Sequence, residues 1–123
     1  MKIQENKSLD GALPKYSFNG GKGLAQRRFV LNVVTDYFKK HPNVSFEGLK
    51  SVFPQEPHDG PETIIRKQDR TNDRWFLKKD EVITLTDGTE VCVSTEWVET
   101  KTDLFAKRAR ELGYAITKIK ANK

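Results

Sequence analysis

Cysteine is nearly absent from this chain: Cys92 is the only one in 123 residues. A single thiol makes neither an intrachain disulfide nor a multi-cysteine zinc site. Because Cys92 lies inside a strand-like run, it is expected to be a buried, inert thiol. Histidine is also scarce. His41 falls at a helix end and His58 in a proline-rich loop, neither with a partner spaced for a metal or a catalytic triad. His58 and Asp59 near Glu62 are the one grouping that could gather a cation. No Gly-x-Ser-x-Gly, no His-Glu-x-x-His and no nuclease-like acidic cluster with a spaced lysine is present. The chain is therefore taken as non-enzymatic, with no cofactor. Long apolar runs are missing too. The stretch from Phe29 to Phe38 is broken by Asn32, Thr35 and Asp36, far short of the roughly 20 apolar residues of a membrane span. Met1 to Asn6 lack the apolar segment of a secretory signal, which favours a cytoplasmic protein without a membrane partner.

What is present suits one compact core, since two cores in a chain this short would each be marginal on surface-to-volume grounds. Apolar residues make up 36% and charged residues 32%, giving a large solvated surface. The net charge of +5 permits a polyanionic partner, because basic side chains that replace counterions on a phosphate backbone gain entropy. Residues 1–60 hold 9 basic and 6 acidic side chains, net +3, and residues 61–123 hold 13 and 11, net +2. Neither half is a basic arm, so any cationic patch must be assembled by folding.

Residues 1–15 are polar and aperiodic and are expected to form a flexible leader. A single α+β domain is expected over 16–116, followed by a basic tail over 117–123. Tyr16-Ser17-Phe18 suggests a short strand, and the glycines of Asn19-Gly20-Gly21-Lys22-Gly23 a tight turn. Val30, Val33, Val34, Tyr37 and Phe38 then fall on one helical stripe that ends at Pro42. Ser45 is placed to cap a second, short helix carrying Phe46, Leu49, Val52 and Phe53. The segment Pro54 to Pro61 is a loop.

The second half is strand-like at Thr63-Ile64-Ile65 and at Arg74-Trp75-Phe76-Leu77. Asp87-Gly88 is expected to form a two-residue type I′ hairpin turn, placing Thr84 opposite Val91 and Val82 opposite Val93. Val82, Thr84, Val91 and Val93 would then line one face, and Ile83, Leu85 and Cys92 the other. Thr100 and Asp103 resemble a capping box for a last helix. Leu104, Phe105, Ala109 and Leu112 would face inward, with Gly113 as the stop. Tyr114-Ala115-Ile116 suggests an edge strand. The expected architecture is two N-terminal helices, an antiparallel sheet of three to four strands with a hairpin, and a C-terminal helix, compatible with a winged-helix layout.

Two basic constellations stand out. Lys22, with Arg27 and Arg28 in the helix that follows, offers phosphate contacts at a helix N-terminus, although the same glycines serve a plain turn. It is no Walker A loop, since Gly23 follows Lys22. Arg66, Lys67, Arg70, Arg74, Lys78 and Lys79 surround Trp75, an aromatic available for stacking or simply for the core, while Asp69, Asp73, Asp80 and Glu81 are interleaved and can neutralise them. The second helix offers outward only Glu47, Lys50 and Ser51, which is poor for base readout. Lys107, Arg108 and Arg110 suit a solvated helix face.

Three stretches, Tyr16 to Gly20, Arg28 to Val34 and Phe46 to Leu49 leading to Phe53-Pro54, together with Arg110-Glu111-Leu112-Gly113-Tyr114, resemble a small module of uncharacterised bacterial proteins, some near restriction or defence genes. The resemblance spans roughly residues 16–116 and implies a shared fold; it assigns no functional residue. The expected function is a non-catalytic module that contacts nucleic acid, with DNA ahead of RNA, mainly through phosphates. The alternative is a protein-interaction module using Trp97, Tyr114 or the proline-rich loop.

Overall fold

The computed structural model describes residues 14–53 and 63–119. Most of the expected leader, the Pro54 to Pro61 loop, His58, Asp59 and Glu62 lie outside these residues. Where description begins, Pro14 is buried and Lys15 already belongs to a strand. The elements run β1 (Lys15–Phe18), α1 (Gln26–Lys40), α2 (Phe46–Val52), β2 (Ile64–Arg66), a 3-10 turn (Lys67–Asp69), β3 (Ile83–Thr84), β4 (Glu90–Val93), α3 (Glu99–Glu111) and β5 (Ile116–Ile119). The fold is α+β, with three helices and two small antiparallel sheets among the described residues. The expected single sheet is in fact divided: β1 pairs with β5, and β2-β4-β3 form the other sheet.

Local signals account for the helices. The apolar stripe of α1 buries Phe29, Val30, Leu31, Val33 and Val34, and Lys39 and Lys40 meet the negative end of its dipole. Ser45 caps α2 by accepting from the Gly48 amide at 3.0 Å. At the end of α3 the Gly113 amide donates to Arg110 O and the Tyr114 amide to Ala109 O, the paired bonds of a Schellman motif. The start of α3 departs from expectation. Val98 is its N-cap and no side chain caps it. Asp103 does not serve Thr100, because its carboxylate is taken by Tyr16 Oη at 2.7 Å and Lys118 Nζ at 3.1 Å. Leu104 is 40% exposed, and the inward face is Phe105, Ala106 and Ala109, with Leu112 partly covered.

The main core lies between α1, α3 and the sheets, with Phe105 at its aromatic centre. Its ring meets Phe29 at 5.7 Å, Phe53 at 5.5 Å and Trp97 at 5.6 Å between centroids. Tyr16 stacks on Phe29 at 5.0 Å. A smaller cluster of Ile65, Trp75 and Cys92, flanked by Leu77 and Val82, covers the other face of the three-stranded sheet. Apolar residues on both faces of the hairpin are thus explained.

The hairpin itself differs from expectation by one residue. Leu85 accepts from the Gly88 amide and donates to Thr89 O, so the loop is Thr86-Asp87-Gly88. Gly88 has φ +91°, while Asp87 is not among the residues with positive φ, which excludes a type I′ turn. The bonding is that of a three-residue loop with a glycine bulge. Ile83 therefore faces Val91 and Thr84 faces Glu90. One residue of slip exchanges faces. Ile83, Leu85, Val91 and Val93 enter the main core, Thr84 is exposed, and Cys92 lies on the opposite side.

Two strands also differ from expectation. Arg74 to Leu77 forms no strand; Trp75 makes an isolated bridge to Ser94, and the Phe76 amide donates to Val93 O. The last strand is Ile116–Ile119, not Tyr114 to Ile116, so residues 117–119 of the expected tail are part of the fold. They pair in register with β1, Ser17 opposite Thr117 and Tyr16 opposite Lys118.

Open space surrounds the position of a Cβ on Gly88. Gly88→Ala should therefore cost only the left-handed backbone penalty, about 1–2 kcal/mol in urea unfolding. A second expectation follows from the buried phenols. Burial, then the hydrogen bond to Asp103, raises Tyr16 well above the ordinary 10.0. Burial, then the bond to Asp36, does the same for Tyr114. A folded-state pKa above the unfolded one gives stability that is present below about pH 10 and lost as pH rises beyond it. The urea midpoint should fall above pH 10, and the Tyr16→Phe/Tyr114→Phe double variant should flatten that decline. At neutral pH each phenylalanine should cost about 1.5 kcal/mol.

Candidate nucleic-acid interface

The first turn of α1 runs against the helix dipole. Ala25 is the N-cap, no side chain caps it, and the turn contains no acid but does contain Arg27 and Arg28. The other two helices follow the usual order: α2 has Glu47 first and Lys50 last, and α3 has Glu99 first and Arg108 and Arg110 last. Only α1, of the described helices, places cations at its positive end without a compensating acid of its own.

Folding brings a distant loop to this turn. Arg28 Nη1 lies 3.3 Å from Glu81 Oε2, and its guanidinium sits 4.9 Å above the Phe76 ring. Glu81 Oε1 accepts from the Lys78 amide at 3.1 Å. Glu81 is the only charged side chain among the buried described residues, 8% exposed. The Arg28 side chain, in contrast, keeps 45% of its surface open. Arg27, Arg28, Lys78 and Glu81 line an open cavity of about 450 Å³, walled by Trp75, Phe76 and Leu77. Among the described residues no carboxylate lies within ion-pair distance of Arg27 or Lys78. Of the sequence-derived site residues, Arg27, Arg28 and Trp75 are thus brought together.

Trp75 does not serve as a stacking platform. It is 8% exposed and belongs to the cluster with Ile65 and Cys92, so most of the ring is committed to packing. Burial also pushes the Cys92 thiol up, keeping it protonated and unreactive at neutral pH.

Lys22 lies elsewhere. The Asn19 to Gly23 loop does not open directly into α1: Leu24 intervenes and exchanges backbone hydrogen bonds with Tyr16, at 2.8 and 2.9 Å. The Gly21 amide is committed to Phe18 O. A Cβ on Gly23 would fall 2.9 Å from Ile119 Cδ1 and 3.2 Å from Lys15 Cβ. Gly21 therefore serves the turn and Gly23 a close approach to the β1-β5 sheet.

The remaining cations form a second group. Arg66, Lys67 and Arg70 line a cavity of about 700 Å³ with Gln68 and the hairpin turn from Asp87 to Glu90. Carboxylates neutralise much of it. Arg66 pairs with Glu47 and Asp69, Lys67 with Glu90, and Arg70 with Asp73. Arg66 also covers the Phe46 ring at 4.3 Å. Asp87 is held below the usual carboxylate range chiefly by accepting from the Thr89 amide, so it stays ionised beside these cations. Arg74 is paired with Glu96 at 3.3 Å and lines neither cavity.

The surface considered for a protein partner is also partly redrawn. Tyr114 is buried, its hydroxyl donating to Asp36 at 2.8 Å. Trp97 donates its ring N–H to Ser94 O and lines a third cavity, about 550 Å³, with Pro14, Ala25, Arg27 and Val98. Val98 is 56% exposed. Arg108 and Arg110 reach the carbonyls of Val52 and Ile116, so both help join elements.

Among the described residues no three His, Cys, Asp or Glu side chains come together to hold a metal, and no helix is long and apolar enough to cross a membrane. Comparison with protein-family models, curated proteins and solved structures gave no match.

Lys78 and Glu81 stand within the run Lys78-Lys79-Asp80-Glu81, two bases followed by two acids, and nothing in that run singles them out. Only the fold joins them to α1. Because Trp75 is a core residue, Trp75→Ala should destabilise the protein by about 3 kcal/mol in chemical unfolding.

Proposed function

We propose that this protein is a non-catalytic module that contacts nucleic acid through phosphates, centred on the first turn of α1. The observation that carries this reading is the convergence of Arg27, Arg28 and Lys78 on one cavity at the positive end of a helix. A phosphate there gains the helix dipole, the exposed N–H groups of two guanidinium forks and one ammonium. The contact is independent of base sequence. Trp75 and Phe76 are enclosed, and on α2 Glu47 is engaged by Arg66. DNA is the first partner to test, with RNA as the comparison.

Fluorescence anisotropy of labelled mixed-sequence DNA across a salt series tests it. The logarithm of the binding constant should fall linearly with the logarithm of salt concentration. Arg27→Ala and Lys78→Ala should each weaken binding and reduce that slope by about 0.9, the change expected for one phosphate contact. Lys22→Ala and Arg74→Ala should leave the slope unchanged, and two unrelated sequences should bind alike. Weak binding that ignores salt overturns the proposal. A protein partner seated at Val98 is the second reading, favoured by the exposure of that side chain beside the third cavity. It would be supported if Val98→Asp abolished a salt-insensitive association.

A further inference from the structure

We infer that Glu81 is a positioning residue for the phosphate contact, holding Arg28 in the orientation that meets the nucleic-acid backbone; this rests on the function proposed above. An enclosed carboxylate in a cationic cavity has two opposite consequences for an anionic ligand. Its charge repels the ligand and weakens binding. Its hydrogen bond fixes a long, rotamer-rich side chain and strengthens binding by reducing the order still to be imposed.

The geometry favours the second. Glu81 cannot follow a ligand outward, because the Lys78 amide anchors Oε1 while Oε2 receives Arg28 Nη1. The Phe76 ring supports the guanidinium 4.9 Å from its centroid. Arg28 is therefore held by an acid and by an aromatic surface. The contact with Glu81 uses one N–H of a planar group that has five, and almost half of the side chain remains open. A phosphate can bind the open side without displacing Glu81. The same carboxylate ties Lys78 in: its backbone is bonded to Glu81 while its side chain lines the cavity. One enclosed acid thus sets two of the three cations relative to each other.

The two effects of Glu81 predict opposite signs, which makes the inference testable. Glu81→Gln removes a negative charge from the cavity and retains an acceptor for the Lys78 amide. If charge alone mattered, labelled mixed-sequence DNA would bind this variant more tightly. Positioning predicts weaker binding by about three- to tenfold, the range expected when one long side chain must be ordered on binding. Glu81→Asp keeps the charge but shortens the reach, and it should also lose affinity; it supplies the same readout if the glutamine variant fails to fold. Thermal melts establish that each variant is folded.

The Arg28→Ala background completes the cycle. There Glu81→Gln should cause no loss, because the residue through which Glu81 acts is missing. Equal or tighter binding by folded Glu81→Gln and unchanged binding by folded Glu81→Asp would overturn the inference and leave the proposed function standing, provided Arg27→Ala still weakens the wild-type interaction. If neither wild type nor variants bind DNA in a salt-dependent way, both proposals fall.

Discussion

Tyr16 joins β1 to β5, α1 and α3, and through Leu24 it ties down the chain that leads into α1. Its backbone is bonded to Leu24 on one side and stands opposite Lys118 of β5 on the other. Its ring stacks on Phe29 of α1, and its hydroxyl donates to Asp103 of α3. Asp103 is itself held by Lys118, which also pairs with Glu99. Burial alone would raise the Asp103 carboxyl, but the bonds from Tyr16 and Lys118 outweigh it and hold the group below its ordinary value. A phenol enclosed without that acceptor would cost about 1–3 kcal/mol, so the aspartate is what makes burial of the tyrosine tolerable. Leu24 is tied to Tyr16, and α1 begins two residues later at Gln26, so that Arg27 and Arg28 lie close to this anchor.

Several of the cations that surround the three-stranded sheet are occupied in holding elements together. Arg66 bridges β2 to α2 through Glu47 and Phe46, Lys67 joins the 3-10 turn to β4 through Glu90, and Arg74 meets Glu96. Such exposed pairs each contribute little, about 0–1 kcal/mol, yet together they reduce the field that those side chains present to a polyanion. Arg28 is different because its partner is enclosed. The acid has given up water and is satisfied by an amide and a guanidinium, while the arginine remains half in solvent. That asymmetry separates a cation available to a ligand from one that is merely neutralised.

Elements written in local patterns were legible from sequence: the apolar stripe of α1, the Ser45 cap and the Gly113 stop all behave as their residue types require. The hairpin was half legible. Asp87-Gly88 located the turn, but aspartate-glycine suits both a two-residue loop and a three-residue loop with a bulge. Opposing Ile83 to Val91 places Ile83, Leu85, Val91 and Val93 on one face, and that stronger apolar grouping was the signal able to decide the register. No local signal marks the pairing of β1 with β5 or the Tyr16 to Asp103 bond, whose partners are 87 positions apart. The candidate site shares this property. Arg27 and Arg28 were visible as a basic doublet, but their partners Lys78 and Glu81 are supplied by the tertiary fold. Trp75 illustrates the opposite error, since an aromatic flanked by arginines has the composition of a stacking platform and the burial of a core residue.

The charge order of α1 breaks a local rule, since its first turn carries two cations and no acid. Each cation near a helix N-terminus gives up about 0.3–1 kcal/mol relative to an acid there; α2 has Glu47 in its first turn, and α3 sets Glu99 beside Lys101. Glu81 offsets part of it for Arg28, but no described carboxylate does so for Arg27. The unfavourable field is confined to one turn and then increased by Lys78 from another part of the chain. Local inconsistencies in a fold that is otherwise consistent mark places where something other than stability has been selected. An anion relieves all three contributions at once: the uncapped amides, the unpaired guanidinium and the added ammonium.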